Sequence, residues 1–232
     1  MKIAIMQPYF FPYIGYWQLI NAVDRFVIYD DVNYIKGGWI NRNRILINGE
    51  PTFITAPLFH SSSYKRVCDI SLQSSPVWRD KLVRMVEITY RKAPCFAEVF
   101  SVIESVIRHK TDNLSDYLAY QLQALSAFIG INTEFILTSR YYENNGLSGQ
   151  ARILDICAQE SATTYINPQG GQVLYDRATF VRCGLDLKFL TPSITEYKQF
   201  LPMHVPWLSI IDVMMFNSPS QLRMLLNKYE LV

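Results

Sequence analysis

The stretch Lys2-Ile-Ala-Ile-Met-Gln7-Pro-Tyr-Phe-Phe-Pro12-Tyr13-Ile-Gly15-Tyr16-Trp-Gln-Leu-Ile20 reads as a buried strand that runs through an aromatic, proline-rich turn into a helix. Ile3 to Met6 form the short apolar run that a central parallel strand needs, and Pro8 and Pro12 bound a turn that cannot continue it. In an α/β protein such a junction lies at the carboxyl end of the strand, in the usual ligand crevice. Working outward, a helix over about 14–22 leads to Arg25-Phe-Val-Ile-Tyr-Asp30-Asp31, a second parallel strand ending in two acidic residues, so the chain opens with a β-α-β unit.

Two β-rich runs, 39–46 and 52–57, flank Asn48-Gly49, a strong hairpin signal, and the hairpin is expected to extend the sheet. From Ser75 to Gly130 the period turns helical, with Val99, Val102, Ile103, Val106 and Ile107 on one stripe and Leu118, Leu122, Leu125 and Ile129 on another. These stripes read as core. Strand-like runs return at 134–139, 163–168 and 185–190, with a helix over 151–160 and short helices starting near Ser209 and Ser218-Pro219. The sum is an α/β fold over 1–232 as a single domain: a mostly parallel, Rossmann-like sheet with a β-hairpin and a helical insertion at about 75–130.

The 232 residues are half hydrophobic and 14% aromatic, enough for a core without disulfide or metal staples; only the polar loop Tyr141 to Gly149 has a disorder-prone composition. A net charge of +2 is too small for an extensive nucleic-acid-coating surface. Cys68, Cys95, Cys157 and Cys183 are widely spaced, with no CxxC pair and no histidine in ligand spacing, so they read as reduced thiols and no metal site is expected. The amino terminus lacks signal-peptide features and no apolar run approaches membrane-spanning length, which points to a cytoplasmic protein.

Three constellations carry chemistry. In the turn, Gln7, Tyr9, Tyr13 and Tyr16 offer hydrogen bonds and stacking faces, and Gly15 would let an anionic ligand approach the helix amino terminus; plain packing of the aromatics is the competing reading. The second is Asp30-Asp31-Val-Asn-Tyr-Ile-Lys36-Gly-Gly-Trp39-Ile-Asn41-Arg42-Asn43-Arg44. Here Asp30 or Asp31 is a candidate general base, and Lys36, Arg42 or Arg44 a candidate phosphate holder, against a solvated β-edge with charge pairs. Strand alternation puts Asn41 and Asn43 on one side and Arg42 and Arg44 on the other, so not all four reach one pocket. The third, Asn167 with Gly170, Gly171 and Tyr175, is either an anion-holding backbone cradle or a tight turn. Asp212 reads as the third residue of a capped helix start after Ser209, and Asn217 as that helix's end.

Two resemblances follow from these residues. Tyr13-Ile-Gly15-Tyr16 is similar in placement to the His-x-Gly-His signature of nucleotidyltransferases and pantoate ligases, with tyrosine at both phosphate-binding histidine positions; the similarity supports the fold and argues against ATP use. Across nearly the whole chain, Met6-Gln-Pro-Tyr-Phe-Phe-Pro-Tyr-Ile-Gly15, Asp30-Asp-Val-Asn-Tyr-Ile-Lys36, Trp39-Ile-Asn-Arg-Asn-Arg-Ile45, Tyr165-Ile-Asn-Pro168 and Leu208-Ser-Ile-Ile-Asp-Val213 with Phe216-Asn217 resemble the WbqC-like protein family. That resemblance implies a place in bacterial surface-polysaccharide (O-antigen) assembly and a suggested glycine transfer, with no catalytic residues to carry over. The expected activity is aminoacyl or acyl transfer onto a nucleotide-linked amino sugar, with Asp30, Asp31 and Lys36 catalytic. An activated glycine donor, aminoacyl-tRNA included, would supply the acyl group. The competing expectation is a non-catalytic sugar-nucleotide-binding or assembly protein of the same pathway.

Overall fold

In a computed structural model describing residues 1–193 and 195–232, the first apolar run becomes β1 (Lys2–Met6), near the middle of a six-stranded sheet. It is followed by α1 (Ile14–Asn21) and β2 (Arg25–Ile28), which pairs with β1 in parallel. Next come the hairpin β3 (Arg42–Ile47) and β4 (Glu50–Thr55), the short antiparallel pair β5 (Leu58–Phe59) and β6 (Ser71–Leu72), and the helices α2 (Val77–Tyr90), α3 (Phe96–Ile107) and α4 (Leu114–Ile129). The chain returns to the sheet with β7 (Glu134–Ile136), α5 (Gly149–Gln159), β8 (Thr164–Pro168), α6 (Arg177–Arg182) and β9 (Asp186–Pro192). It closes with α7 (Ile210–Phe216), α8 (Pro219–Leu226) and the antiparallel edge strand β10 (Tyr229–Leu231).

The sheet order is β10-β9-β8-β1-β2-β7, and every pairing except β10 with β9 is parallel. Numbered along the chain, the parallel strands read 3-2-1-4-5, so progression reverses between β1 and β8. Crevices open at the carboxyl ends of strands around such a reversal. Strand alternation divides the apolar residues into two layers: Ala4, Phe26, Ile28 and Ile166 face a core shared with α1, α4, α7 and α8, while Ile3, Ile5, Val27, Tyr165 and Leu187 face α5 and α6. The predicted helical stripes are buried in the larger core, including Ile103 of α3 and Leu118 and Leu122 of α4.

Two expectations are corrected, one about the sheet and one about the loop at 141–149. The hairpin forms as its Asn48-Gly49 turn demands, both residues having positive φ (51° and 86°), but it is a separate two-stranded sheet. The edge of β2, the strand that precedes the hairpin, is taken by β7 through Arg25↔Glu134 to Val27↔Ile136. The loop at 141–149 is also fixed in place: Tyr142 and Asn144 are buried, and Asn144 accepts a hydrogen bond from Arg152 Nε (2.8 Å).

The turn between β1 and α1 is held by side chains from elements far along the chain. Phe11 is fully buried with φ +41°, a conformation that costs a non-glycine residue about 1–3 kcal/mol. Its N–H donates to Gln121 Oε1 on α4 (3.0 Å), and its carbonyl accepts from Asn43 Nδ2 on β3 (2.9 Å) and Ser209 Oγ before α7 (2.8 Å). Asn43 Nδ2 also reaches the Phe10 carbonyl (3.0 Å), Gln121 Nε2 the Tyr9 carbonyl (3.1 Å), and Trp17 Nε1 the Pro12 carbonyl (2.9 Å). The carbonyls of the fully buried Phe10 and Phe11 would otherwise be poorly solvated backbone oxygens, whereas the Pro12 carbonyl also accepts from the Ile210 N–H (3.0 Å). Asn43→Ala strips the Phe10 carbonyl of this donor and the Phe11 carbonyl of one of two; we expect it to lose about 2–3 kcal/mol of stability in urea unfolding.

Candidate functional site

A cavity of about 250 Å³ opens where loops leave the carboxyl ends of three strands. Tyr9 and Tyr13 come from the turn after β1, Trp39, Asn43 and Arg44 from the segment after β2, and Trp207 from the loop after β9. The walls are aromatic: Tyr13 meets Trp207 edge to face at 5.6 Å between ring centres, and Tyr9 packs on Tyr16 at 5.3 Å. Burial raises the phenol pKa of both Tyr9 and Tyr13, so each enters the cavity as a neutral donor and acceptor.

Arg44 supplies the charge. Its guanidinium lies 5.6 Å over the Trp39 ring, its Nε is buried without a hydrogen bond, and among the described residues no carboxylate pairs with it. Beyond the cavity mouth Trp39 continues to Phe53 at 6.3 Å, and Arg42 sits 4.5 Å over Phe53. The hairpin thus presents an exposed face of alternating arginines and aromatic rings next to the cavity, a surface suited to flat or ring-shaped ligands carrying negative charge.

The structure brings Tyr9, Tyr13, Asn43 and Arg44 together and places the other sequence-chosen residues elsewhere. Tyr16 is buried, donating to the Gln7 carbonyl (2.8 Å). Gly15 does not open the α1 amino terminus to a ligand: a Cβ there would stand 2.4 Å from the Tyr13 ring and 2.7 Å from Pro192, so its small size serves internal packing. Asn41 accepts from Tyr34 Oη (2.7 Å) and donates to the Ala56 carbonyl (3.0 Å), while Arg42 bonds back to the carbonyls of Gly37 and Gly38. Lys36 is exposed on the loop before Trp39. The third constellation is a tyrosine cluster outside this cavity, with Asn167 Nδ2 donating to Tyr165 Oη (2.6 Å), Tyr165 and Tyr175 hydroxyls 3.1 Å apart, and Gly170 exposed at the start of a 3₁₀ helix, Gln169–Leu174.

Asp30 and Asp31 are buried at the end of β2 and do not line the cavity. The Asp30 carboxylate accepts from Ser115 Oγ on α4 (2.7 Å), Thr138 Oγ1 (2.9 Å) and the Ser139 N–H (3.1 Å), with Arg140 Nε 3.7 Å away. Asp31 pairs with buried Arg152 of α5 (2.6 Å) and accepts from Ser139 Oγ. Burial by itself raises the Asp31 pKa, but the Arg152 guanidinium and the Ser139 hydroxyl outweigh it and hold the carboxyl below the ordinary aspartate value.

Asp212 departs from its expected capping role. Ser209 Oγ caps α7 by accepting from the Ile211 N–H, whereas the buried Asp212 carboxylate accepts from Tyr90 (2.8 Å), Tyr197 (2.7 Å) and Gln199 (2.8 Å). Burial is the main reason its pKa is raised. Through Tyr197 and Gln199 it ties down the loop that carries Trp207, the wall residue that sequence reading missed. Trp207 has φ +61°, and a lone aromatic beside Pro206 was its only local signal. Cys68 and Cys157 are buried with thiol pKa values pushed up to about 11 and about 12, and all four cysteines are free. Among the described residues no group of histidine, cysteine and acidic side chains could hold a metal ion, and no helix is long and apolar enough to cross a membrane.

Because its folded pKa is depressed, Asp31 stabilises the fold above the ordinary aspartate range, and that contribution disappears as pH falls through the lowered folded value. Asp31→Asn leaves the Arg152 charge buried without its partner; we expect a loss of about 3 kcal/mol at neutral pH and a flatter acid limb in urea unfolding measured across pH.

Comparison with known proteins agrees with the motifs. The chain is 29% identical over 218 residues to an uncharacterised protein of Mycobacterium tuberculosis, Rv1507c, with 93% of each chain covered. No solved structure matches. The model of the WbqC-like protein family matches residues 7–224, which span the aromatic turn, the hairpin, the paired aspartates and α7. The chain belongs to the WbqC-like protein family.

Proposed function

We propose that the aromatic cavity binds a nucleotide-linked amino sugar and that the protein transfers an acyl group, glycyl in the simplest case, onto the sugar's amine during surface-polysaccharide assembly. The observation that carries this reading is the pairing of four aromatic walls with an arginine that has no carboxylate partner among the described residues. Aromatic faces pack against the C–H face of a sugar ring, and a free guanidinium matches phosphate. A volume of about 250 Å³ is small for a ligand pocket and suits a single sugar residue. The nucleotide then lies outside, its diphosphate at Arg44 and its base on the Trp39 and Phe53 face, within reach of exposed Lys36.

In the transfer the amine nitrogen attacks the carbonyl carbon of an activated glycyl ester. The ester oxygen leaves with its electron pair and takes up the proton that the amine gives up, so that an amide and a free hydroxyl result. Asp30 and Asp31 act in this reading as positioning residues. Their oxygens are committed to Ser115, Thr138, Ser139 and Arg152, and they fix the start of the segment that delivers Trp39 and Arg44. One observation favours a second reading, a non-catalytic sugar-nucleotide-binding protein of the same pathway: the cavity lining contains no carboxylate and no histidine.

Binding is tested by calorimetric titration of nucleoside-diphosphate amino sugars. Arg44→Gln and Trp39→Ala are each expected to weaken binding by about tenfold or more, and unchanged wild-type affinity in both variants would remove the cavity from the account. Incubation with glycyl-tRNA, or with glycine and ATP, followed by mass spectrometry separates the readings. A sugar nucleotide heavier by one glycyl group supports transfer, and tight binding with no such product supports the second reading.

A further inference from the structure

A second cavity, about 580 Å³, lies between the start of α2 and the segment after α3. It is lined by Ser74 and Pro76 at the amino end of α2, by Arg79 one turn into that helix, and by Arg108, Lys110 and Asp112 after α3. Arg79 sets it apart. The residue is only 9% exposed, its guanidinium stacks 4.4 Å over Trp78, and Nη2 donates to the Thr111 carbonyl (3.1 Å). Its Nε is buried with no hydrogen bond, and among the described residues no carboxylate pairs with it.

A buried cation is costly unless an anion compensates it. The chain's own carboxylates nearby are spent on Arg108, which pairs with Asp80 (2.6 Å) and Glu104 (2.8 Å). Lys110 is exposed and likewise has no ion-pair partner among the described residues, so Asp112 is the one carboxylate lining the cavity against two uncommitted cations. The amino end of α2 is already satisfied: the Val77 N–H donates to Ser75 Oγ (3.4 Å) and the Arg79 and Asp80 N–H groups donate to the Pro76 carbonyl (3.0 and 3.2 Å), so recognition rests on the side chains. A stacked, pre-oriented arginine, an exposed lysine and a serine hydroxyl around one cavity form a phosphate-recognition set.

We propose that this cavity is a binding site for a small phosphorylated molecule, separate from the aromatic cavity, with Arg79 as its fixed cation and Lys110 as its adaptable one. The test is calorimetric titration of the full chain with inorganic diphosphate, with orthophosphate and sulfate as parallel arms. It is run in an Arg44→Gln background, so that the aromatic cavity does not contribute and failure of the sugar-nucleotide reading leaves the result intact. Saturable binding is expected, weakened about tenfold or more by Arg79→Gln and several-fold by Lys110→Gln. Lys110 is exposed, so its replacement reports on binding even if the Arg79 variant folds poorly. The Arg79 Nε–H NMR signal should shift on titration. Absence of saturable binding, affinity indifferent to both substitutions, or binding of an RNA oligonucleotide with no response to diphosphate would overturn the proposal.

Discussion

The fold depends on a backbone turn that cannot hold itself. Phe11 occupies a left-handed conformation in the fully buried interior, and the carbonyls of Tyr9, Phe10, Phe11 and Pro12 point away from any regular ladder. Asn43, Gln121 and Ser209 compensate the first three from a hairpin, a long helix and a helix cap that are distant in sequence, and Trp17 and the Ile210 N–H take the Pro12 carbonyl. Each of those elements must be in place before the turn is stable, so the central β1-α1 junction couples the whole core. The same hydrogen bonds set the positions of Tyr9 and Tyr13, which makes the cavity walls a product of folding and leaves little ordering cost for a ligand.

Charge is distributed with a similar division of labour. At the end of β2, Asp30 and Asp31 are surrounded by donors from α4, the segment after β7 and α5, which converts two adjacent acids into a clamp between neighbouring elements. Asp212 does the same for the loop after β9, gathering two tyrosine hydroxyls and a glutamine amide. Arg44 and Arg79 are the opposite case: each is held against an indole ring beside a cavity, with no acid opposite it among the described residues. Saturated acids mark where the structure is tied together, and unsaturated cations mark where an anion is wanted.

What could be read from sequence follows from how local each determinant is. The β1-turn-α1 junction, the Asn48-Gly49 hairpin and the stripes of α3 and α4 are written in spacing and turn chemistry, and they form as read. That Tyr9, Tyr13, Asn43 and Arg44 come near one another is legible because they lie in two short segments next to strand ends, and the structure has them line one cavity. The place of Trp207 is not legible, since its position against Tyr13 depends on the anchoring of its loop through Asp212. The local patterns around Gly15 and Asp212 fit a ligand approach and a cap, while their surroundings depend on the tertiary fold: the Tyr13 ring folded back with Pro192 against Gly15, and Tyr90 and Tyr197 on Asp212. β10 is too short, at three residues, to show a strand period.

The central claim is that the pinned turn and the hairpin together build a sugar-nucleotide site. The most direct measurement is a crystal structure of the full chain with a nucleoside-diphosphate amino sugar. The account predicts the sugar ring between Tyr9, Tyr13 and Trp207, the diphosphate at Arg44, and Phe11 unchanged in its left-handed conformation. A sugar nucleotide seated elsewhere while this cavity stays empty, or a turn that rearranges to admit it, would contradict the account.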